Sequence, residues 1–539
     1  MTRSHLPRTS TALVLCGVTA ATLTAANPAT AGPATPATPT TGQAAADPGT
    51  AAGRAGRADQ TAAADRTAAV DGEAPPGLGV LKRGRGMAPG LLFLTPQGRH
   101  VTPRGPQIVD DHGRPVWYRR IPEGFVAADL QVQEYRGEKV LTWWEGESSP
   151  TGTGSGTGYI ADENYHVIAT VKTPDEGERT DFHEFRLTPD GTALILSYRD
   201  EPYDLTPVGG PEDGRVLDYV VQEIDIATGE KVMDWHSLDH IPITDSDRRF
   251  EHGAATPFPY MHLNAVSIDH DGNLLFSGRE TSTIYKVDRE TGDIIWRLGG
   301  KRSDFRLGAG ARTIGQHNIQ PAGEDTYRVF DNQNMGSPGY ESRVAWLRID
   351  ERRMTAELVR QQVHPDRLTS GLEGSSQALP NGNTFVSWGS PSGRISEFTP
   401  SGRLVFDGTL PKDISSYRGY RAPWKSTPDT APEVEVNDAV TAVDAVWNGA
   451  TEVKGWRVLG GETKSGLRPV ARAGWNGLDT EVHLPPGARD IDYVQVQALD
   501  ARGRVIGASE VEAVGTDGAG AGGDGAGADR AGADRAGKG

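Results

Sequence analysis

Three of the thirteen histidines recur at matching places in the chain. His183 lies in Asp181-Phe182-His183-Glu184-Phe185, His262 in Tyr260-Met261-His262-Leu263-Asn264, and His317 in Gly315-Gln316-His317-Asn318-Ile319. Each opens a short hydrophobic run and stands seven to nine residues before a turn. Arg279 follows His262 by seventeen residues, and Arg199 holds the related place after His183. Imidazoles beside a guanidinium suit two chemistries. In the first, a neutral ring takes a phosphoryl or sulfuryl group while the other rings and the arginine fork hold its oxygens. In the second, three histidines bind zinc and leave a fourth position open for a hydrolase or lyase. Asp181, Glu184, Asn264 and Asn318 flank the rings, where they can fix tautomers or meet a substrate. A lone histidine in a strand is ordinarily structural. A purely structural one should also recur in the next copy, where Ser375-Ser376 stands instead.

The elements that must position these residues read as strands. Between Leu78 and Pro423 there is almost no helical periodicity. Short apolar runs alternate with turns such as Asp190-Gly191, Asp271-Gly272 and Asn381-Gly382, the signature of an all-β chain. The runs repeat at a longer period: Ala193 to Arg199, Leu274 to Arg279, Tyr327 to Asn332 and Thr384 to Trp388 each follow such a turn. Outer hairpins such as Ile284–Asp288 with Ile294–Leu298 complete the units, and fainter copies lie around Leu91 to Trp117 and Leu130 to Trp144. About six units predict a six-bladed β-propeller over residues 78–425. Rotation about its axis would bring the three histidines to one funnel. Residues 429–514, with Trp447, Trp456 and the alternating run Tyr493 to Leu499, read as a small β-sandwich of the fibronectin type III kind.

The ends read differently. Residues 1–31 carry Arg3 and Arg8, an apolar stretch from Ala12 to Ala26 and the small-residue site Ala29-Thr30-Ala31, so they are expected to be a signal peptide and the protein to be secreted or held in the cell envelope. The apolar stretch is too short for a permanent span. Residues 32–77 are a linker rich in alanine, proline and threonine, and residues 515–539 a glycine-alanine-aspartate tail; both are too poor in large apolar residues to order. Cys16, the only cysteine, falls inside the signal, so thiolate chemistry and disulfides are excluded from the mature chain. A net charge of −17 disfavours nucleic acid and anionic membranes as partners.

The body resembles the bacterial arylsulfotransferase (arylsulfate sulfotransferase) family. The resemblance is carried by His262-Leu263-Asn264-Ala265-Val266 with Ser277-Gly278-Arg279, by Ile295-Trp296-Arg297-Leu298-Gly299, and by Gln316-His317 with Phe330-Asp331-Asn332. It implies a six-bladed propeller that moves a sulfuryl group from a phenolic sulfate ester to a phenol, with no cofactor and no nucleotide sulfate donor. It places the nucleophile on His317, sulfuryl-oxygen binding on His262 and Arg279, and assistance at the phenolic oxygen on His183. Asn264, Asn318 and Arg199 are the further residues expected at the substrate. The chain departs from the family in lacking the cysteine pair of periplasmic members and in carrying Asn332-Gln333-Asn334 where Asp-Asn-Gly is typical. A non-catalytic propeller binding carbohydrate or protein through Trp143, Trp144 or Trp388 is the alternative reading.

Overall fold

The computed structural model describes residues 75–98, 101, 103–149, 151–251, 257–333 and 340–515. The expected signal peptide, nearly all of the linker and the tail from residue 516 lie outside them. The end of the linker does not: Pro76 accepts a hydrogen bond from Gln107 Nε2 at 3.0 Å.

The described chain is almost wholly β, as the turn spacing predicts. Gly191 and Gly272 adopt φ of 80° and 87°, a region open to glycine at little cost, which lets Asp-Gly pairs fold one strand back on the next. Six sheets of four or five strands result, nearly all antiparallel. One strand of each lies at its inner edge: Val126–Tyr135, Arg179–Leu187, Leu263–Ile268, His317–Gly323, Ser375–Ala378 and Ser415–Ala422. Each inner strand contacts the next, and the last contacts the first, so the six form a closed ring.

The two ends of this body interlock. The run Leu91 to Trp117, expected as a complete unit, supplies only the strands Leu91–Gln97, Gln107–Val109 and Pro115–Tyr118; its inner strand is Ser415–Ala422, from the far end of the body. Gly79–Arg83 in turn pairs with Leu404–Thr409 at the outer edge of the neighbouring sheet. Both swaps tie distant sequence together, and local periodicity cannot reveal a partner more than 300 residues away.

Apolar side chains between adjacent sheets make the core, with Trp143, Trp144, Trp296 and Trp388 fully buried among them. Trp143, Trp144 and Trp388 therefore do not form an exposed binding face, which corrects the alternative expectation. Residues 433–513 form two further sheets, one of three strands and one built on Arg468–Gly474, Gly455–Gly461, Tyr493–Leu499 and Val505–Ala508. Val443, Trp456, Val458, Val482, Val494 and Val496 fill the space between them. This unit docks on the outer strand Pro115–Tyr118, where Asn448 bonds both backbone groups of Tyr118 at 2.9 and 2.8 Å and Arg114 lies over Trp475.

Candidate active site

A belt of polar side chains staples the inner strands to one another near their starts. Asp129 accepts from Phe185 N, Glu184 from Val266 N, and Asn318 from Ser376 N, while Asn264 donates to Gln316 O. Arg418, on the last inner strand, closes the circle through Glu184 at 2.8 Å and Asp129 at 3.3 Å. Its charge sits fully buried between two carboxylates, an arrangement in which losing one partner costs far more than the pair gains. Burial pushes the Asp129 carboxyl up, with Arg418 opposing it, whereas at Glu184 burial is outweighed by the cations Arg418 and Arg186, which lower it from its ordinary value.

The histidines stand just ahead of this belt. His183 and His317 immediately precede Glu184 and Asn318, but His262 precedes Asn264 by two residues. The three positions are thus not strictly equivalent. His262 adopts φ of 48°, a left-handed conformation uncommon outside glycine, and so departs from the extended backbone of a strand. The result is a contact: His262 Nε2 lies 3.2 Å from His183 Nε2, with the rings edge to face at a centroid distance of 4.9 Å. The Tyr417 ring stands 5.3 Å from that of His183 and 6.5 Å from that of His317. All three imidazoles are buried, as is Arg279.

Each ring has a different set of partners. His183 Nδ1 is bound by Asp181, so both its nitrogens are engaged. His317 Nδ1 lies 2.8 Å from Asn332 Oδ1 and 3.1 Å from Gly315 O. The amide of Asn332 is oriented by its own donors, since Nδ2 reaches Ser370 O at 2.9 Å and Glu373 O at 3.0 Å. Its oxygen therefore faces the ring, both neighbours of Nδ1 are acceptors, and the proton must sit on Nδ1. Nε2 of His317 is left with its lone pair and with no hydrogen-bond partner among the described residues. Burial, and after it the charge of Arg279, holds His317 well below the usual histidine range. Burial and the neighbouring His183 and Arg279 do the same to His262. Both are neutral near pH 7.

Arg279 is clamped by Glu280 and donates to Gly371 O at 3.1 Å. Its Nε is buried and has no hydrogen-bond partner among the described residues. A buried, unsatisfied guanidinium N–H is costly unless a ligand oxygen completes it.

The structure thus gathers His183, His262, His317 and Arg279. Asn264 and Asn318 lie beside them, bonded to neighbouring strands, although Asn264 Oδ1 is buried with no hydrogen-bond partner among the described residues. Arg199 is not brought in: it is partly exposed and ion-paired to Glu201 at 2.8 Å and to Asp218 at 3.4 Å. Gln316 spans to the adjacent sheet through Gly278 O and Thr283 O. The residues that sequence reasoning missed are Tyr417, Arg418 and the orienting role of Asn332; Tyr417 and Arg418 carry no turn or histidine signal, and only the swap of the last strand brings them here.

Three histidines as a metal centre is a poor fit. Among the described residues, the group of His, Asp or Glu ligand atoms lying within 4.8 Å of one another is His364, Asp366 and Asp407, in another part of the body. A cavity of about 830 Å³ among Arg306, Glu324, Arg348 and Glu351 is at the opposite end of the His317 strand.

Among solved structures the chain is similar to a protein of unknown function from Bacteroides caccae, at 13% identity and a TM-score of 0.39, covering 62% of this chain and 100% of that one. It is also similar to a protein from Lactobacillus plantarum, at 12% and 0.33 over 74% and 99%. A third is a virginiamycin B lyase from Staphylococcus aureus, at 11% and 0.27 over 69% and 96%. Likenesses this distant carry no argument about function. No curated protein matches the chain. The sequence profile described as Arylsulfotransferase (ASST) matches residues 131–410, a span holding all three histidines and Arg279, and by that match the chain belongs to the arylsulfotransferase family.

Proposed function

We propose that the protein transfers a sulfuryl group from a phenolic sulfate ester to a phenol through a sulfohistidine on His317. The observation that carries this reading is the fixed tautomer of His317: Asn332 Oδ1 and Gly315 O hold the proton on Nδ1 and leave Nε2 nucleophilic. In the first half-reaction Nε2 attacks sulfur, the N–S bond forms, and the ester S–O bond breaks to release phenol. In the second, the oxygen of another phenol attacks sulfur and frees Nε2. Arg279 and His262 bind the sulfuryl oxygens, and His183, anchored by Asp181, supports charge at the phenolic oxygen. One preorganised donor of this kind lowers a barrier by about 3–4 kcal/mol. Asn264, whose Oδ1 has no hydrogen-bond partner among the described residues, is the further side chain assigned to the substrate.

The six sheets with their closed inner ring are best read as a six-bladed propeller, and the two C-terminal sheets as a fibronectin type III-like module. The basic and apolar start of the chain supports export from the cytoplasm. No helix among the described residues is long and apolar enough to cross a membrane.

The direct test is incubation of the protein with p-nitrophenyl sulfate with and without phenol. Phenol-dependent release of nitrophenol that is lost in His317→Ala is the expected result. Unchanged release in that variant would remove His317 as the nucleophile.

A further inference from the structure

Two of the imidazoles, His183 and His262, are set by a segment that belongs to neither of their sheets. The strands Glu138–Ser148 and Gly154–Ala161 are neighbours in the sheet whose inner strand is Val126–Tyr135. Where the first gives way to the second, Ser149 N donates to Thr153 O at 2.7 Å and Gly152 N to Ser149 O at 3.1 Å. The hydroxyls of Ser149, Thr151 and Thr153 lie 2.6–3.1 Å from one another. Backbone and side chains both brace this turn, so Gly152 has a fixed place within it.

That place is against His262. Gly152 adopts φ of 83°, and a Cβ on it would stand 3.0 Å from His262 Cε1 and 3.8 and 3.9 Å from the two ring nitrogens. The turn thus meets the ring at its Cε1 corner. The ring has little room to yield, since its Nε2 is 3.2 Å from His183 Nε2 and the Tyr219 ring flanks it at 6.4 Å. Two residues on, Gly154 N donates to Asp181 Oδ1 at 2.6 Å, and the other oxygen of that carboxylate binds His183 Nδ1. A Cβ on Gly154 would lie 2.7 Å from Phe182 Cδ1, and the Phe182 ring is stacked on that of His183 at 4.2 Å.

We infer that Gly152 and Gly154 are positioning residues of the transfer: Gly152 fixes the His262 ring, and Gly154, through Asp181, fixes His183. A substituent at 152 displaces the His262 ring and with it the contact to His183. A group misplaced by about 1 Å costs on the order of 10²-fold in rate. The left-handed φ by itself explains a glycine at many turns and does not require a bare Cα. Gly137, at another turn of the same sheet, has the same φ of 83°, yet a Cβ there would meet nothing within 4 Å. The two glycines share a backbone demand and differ in what stands beside them.

The inference rests on the sulfuryl-transfer reading for its effect on rate but not for the contact itself, and the experiment separates the two. In the full chain, kcat for transfer from p-nitrophenyl sulfate to phenol is measured for Gly152→Ala and Gly152→Asn, and for the same changes at Gly137. Asn tolerates a left-handed φ better than Ala, so Gly152→Asn carries less strain and more bulk. Gly152→Ala is expected to lower kcat about 10-fold and Gly152→Asn about 10²-fold, with the rate unaltered by either change at Gly137. In a His262→Ala background, Gly152→Asn should cost little more, because its effect passes through the ring. Equal losses at the two glycines, or a Gly152→Asn loss that persists in full without His262, overturns the inference. The contact is read separately in protein labelled with carbon-13 at histidine Cε1, where the His262 signal is assigned by its absence from His262→Ala. That signal is expected to shift in Gly152→Ala and not in Gly137→Ala; an unmoved signal overturns the inference. A shifted signal in a protein that transfers no sulfuryl group supports the contact and overturns the transfer reading alone.

Discussion

Two buried histidine sites among the described residues are set apart by their partners. His364 is buried against Trp388 and Phe398; its Nδ1 accepts the Asp366 amide at 3.0 Å and its Nε2 faces Asp407 at 3.4 Å. Arg394 pairs with both of those carboxylates, so the positive charge that a bound cation would bring is already present. His317 is buried to the same degree, but among the described residues only its Nδ1 has partners. Burial alone says nothing about function. A histidine becomes a reagent when its surroundings satisfy one nitrogen, fix the proton there and leave the other nitrogen open beside a fixed positive charge.

That contrast can be broken by mutation. The largest effect is expected for the exchange of roles. His317→Ala should lower sulfuryl transfer by more than about 10⁴-fold in the folded protein. His364→Ala should leave the activity of the folded protein unchanged and cost about 2–4 kcal/mol in urea unfolding, because it empties a packed site and strands Asp407 beside Arg394. Next comes Arg279→Gln, with a fall of about 10²–10³-fold in kcat/KM, the usual cost of one preorganised donor. Asn332→Ala should then cost about 10–100-fold in kcat, because Nδ1 of His317 keeps only Gly315 O and the wrong tautomer becomes accessible.

The smallest effect is a difference in pH dependence. The folded-state values of His317 and His262 lie below the ordinary one. As pH falls through about 6.5, the unfolded chain binds protons that the folded chain refuses. The stability these rings contribute is thus fully present above that pH and lost below it. Comparing Tm between pH 7.5 and 5 in wild type and His317→Gln should show a smaller acid loss in the variant. An equal or larger loss would mean that His317 is protonated in the folded protein.

Much of this was legible in the amino-acid sequence. Asp-Gly and Asn-Gly turns between apolar runs announce the strands, and repeating them counts the sheets. His183, His262 and His317 were recognisable because each stands seven to nine residues before a turn, and Arg279 because it follows His262 by seventeen residues. What stayed hidden depends on chain closure and on side-chain direction. The partner of Leu91–Gln97 is Ser415–Ala422, and no local pattern connects them; Tyr417 and Arg418 reach the site only through that pairing. The one-residue offset of His262 relative to its apparent counterparts is set by a left-handed backbone that its sequence does not encode. Arg199 looked equivalent to Arg279, yet Asp218 and Glu201 on its own sheet capture it.

The claim that His317 Nε2 is the nucleophile is tested most directly by trapping the intermediate. The protein is mixed with an aryl sulfate in the absence of a phenol acceptor, quenched at alkaline pH where a sulfuryl–imidazole bond persists, digested and analysed by mass spectrometry. The account predicts one sulfuryl group on the peptide containing His317, discharged on addition of phenol before the quench. A sulfuryl group on another residue, or acceptor-dependent turnover with His317 unmodified throughout, would contradict it.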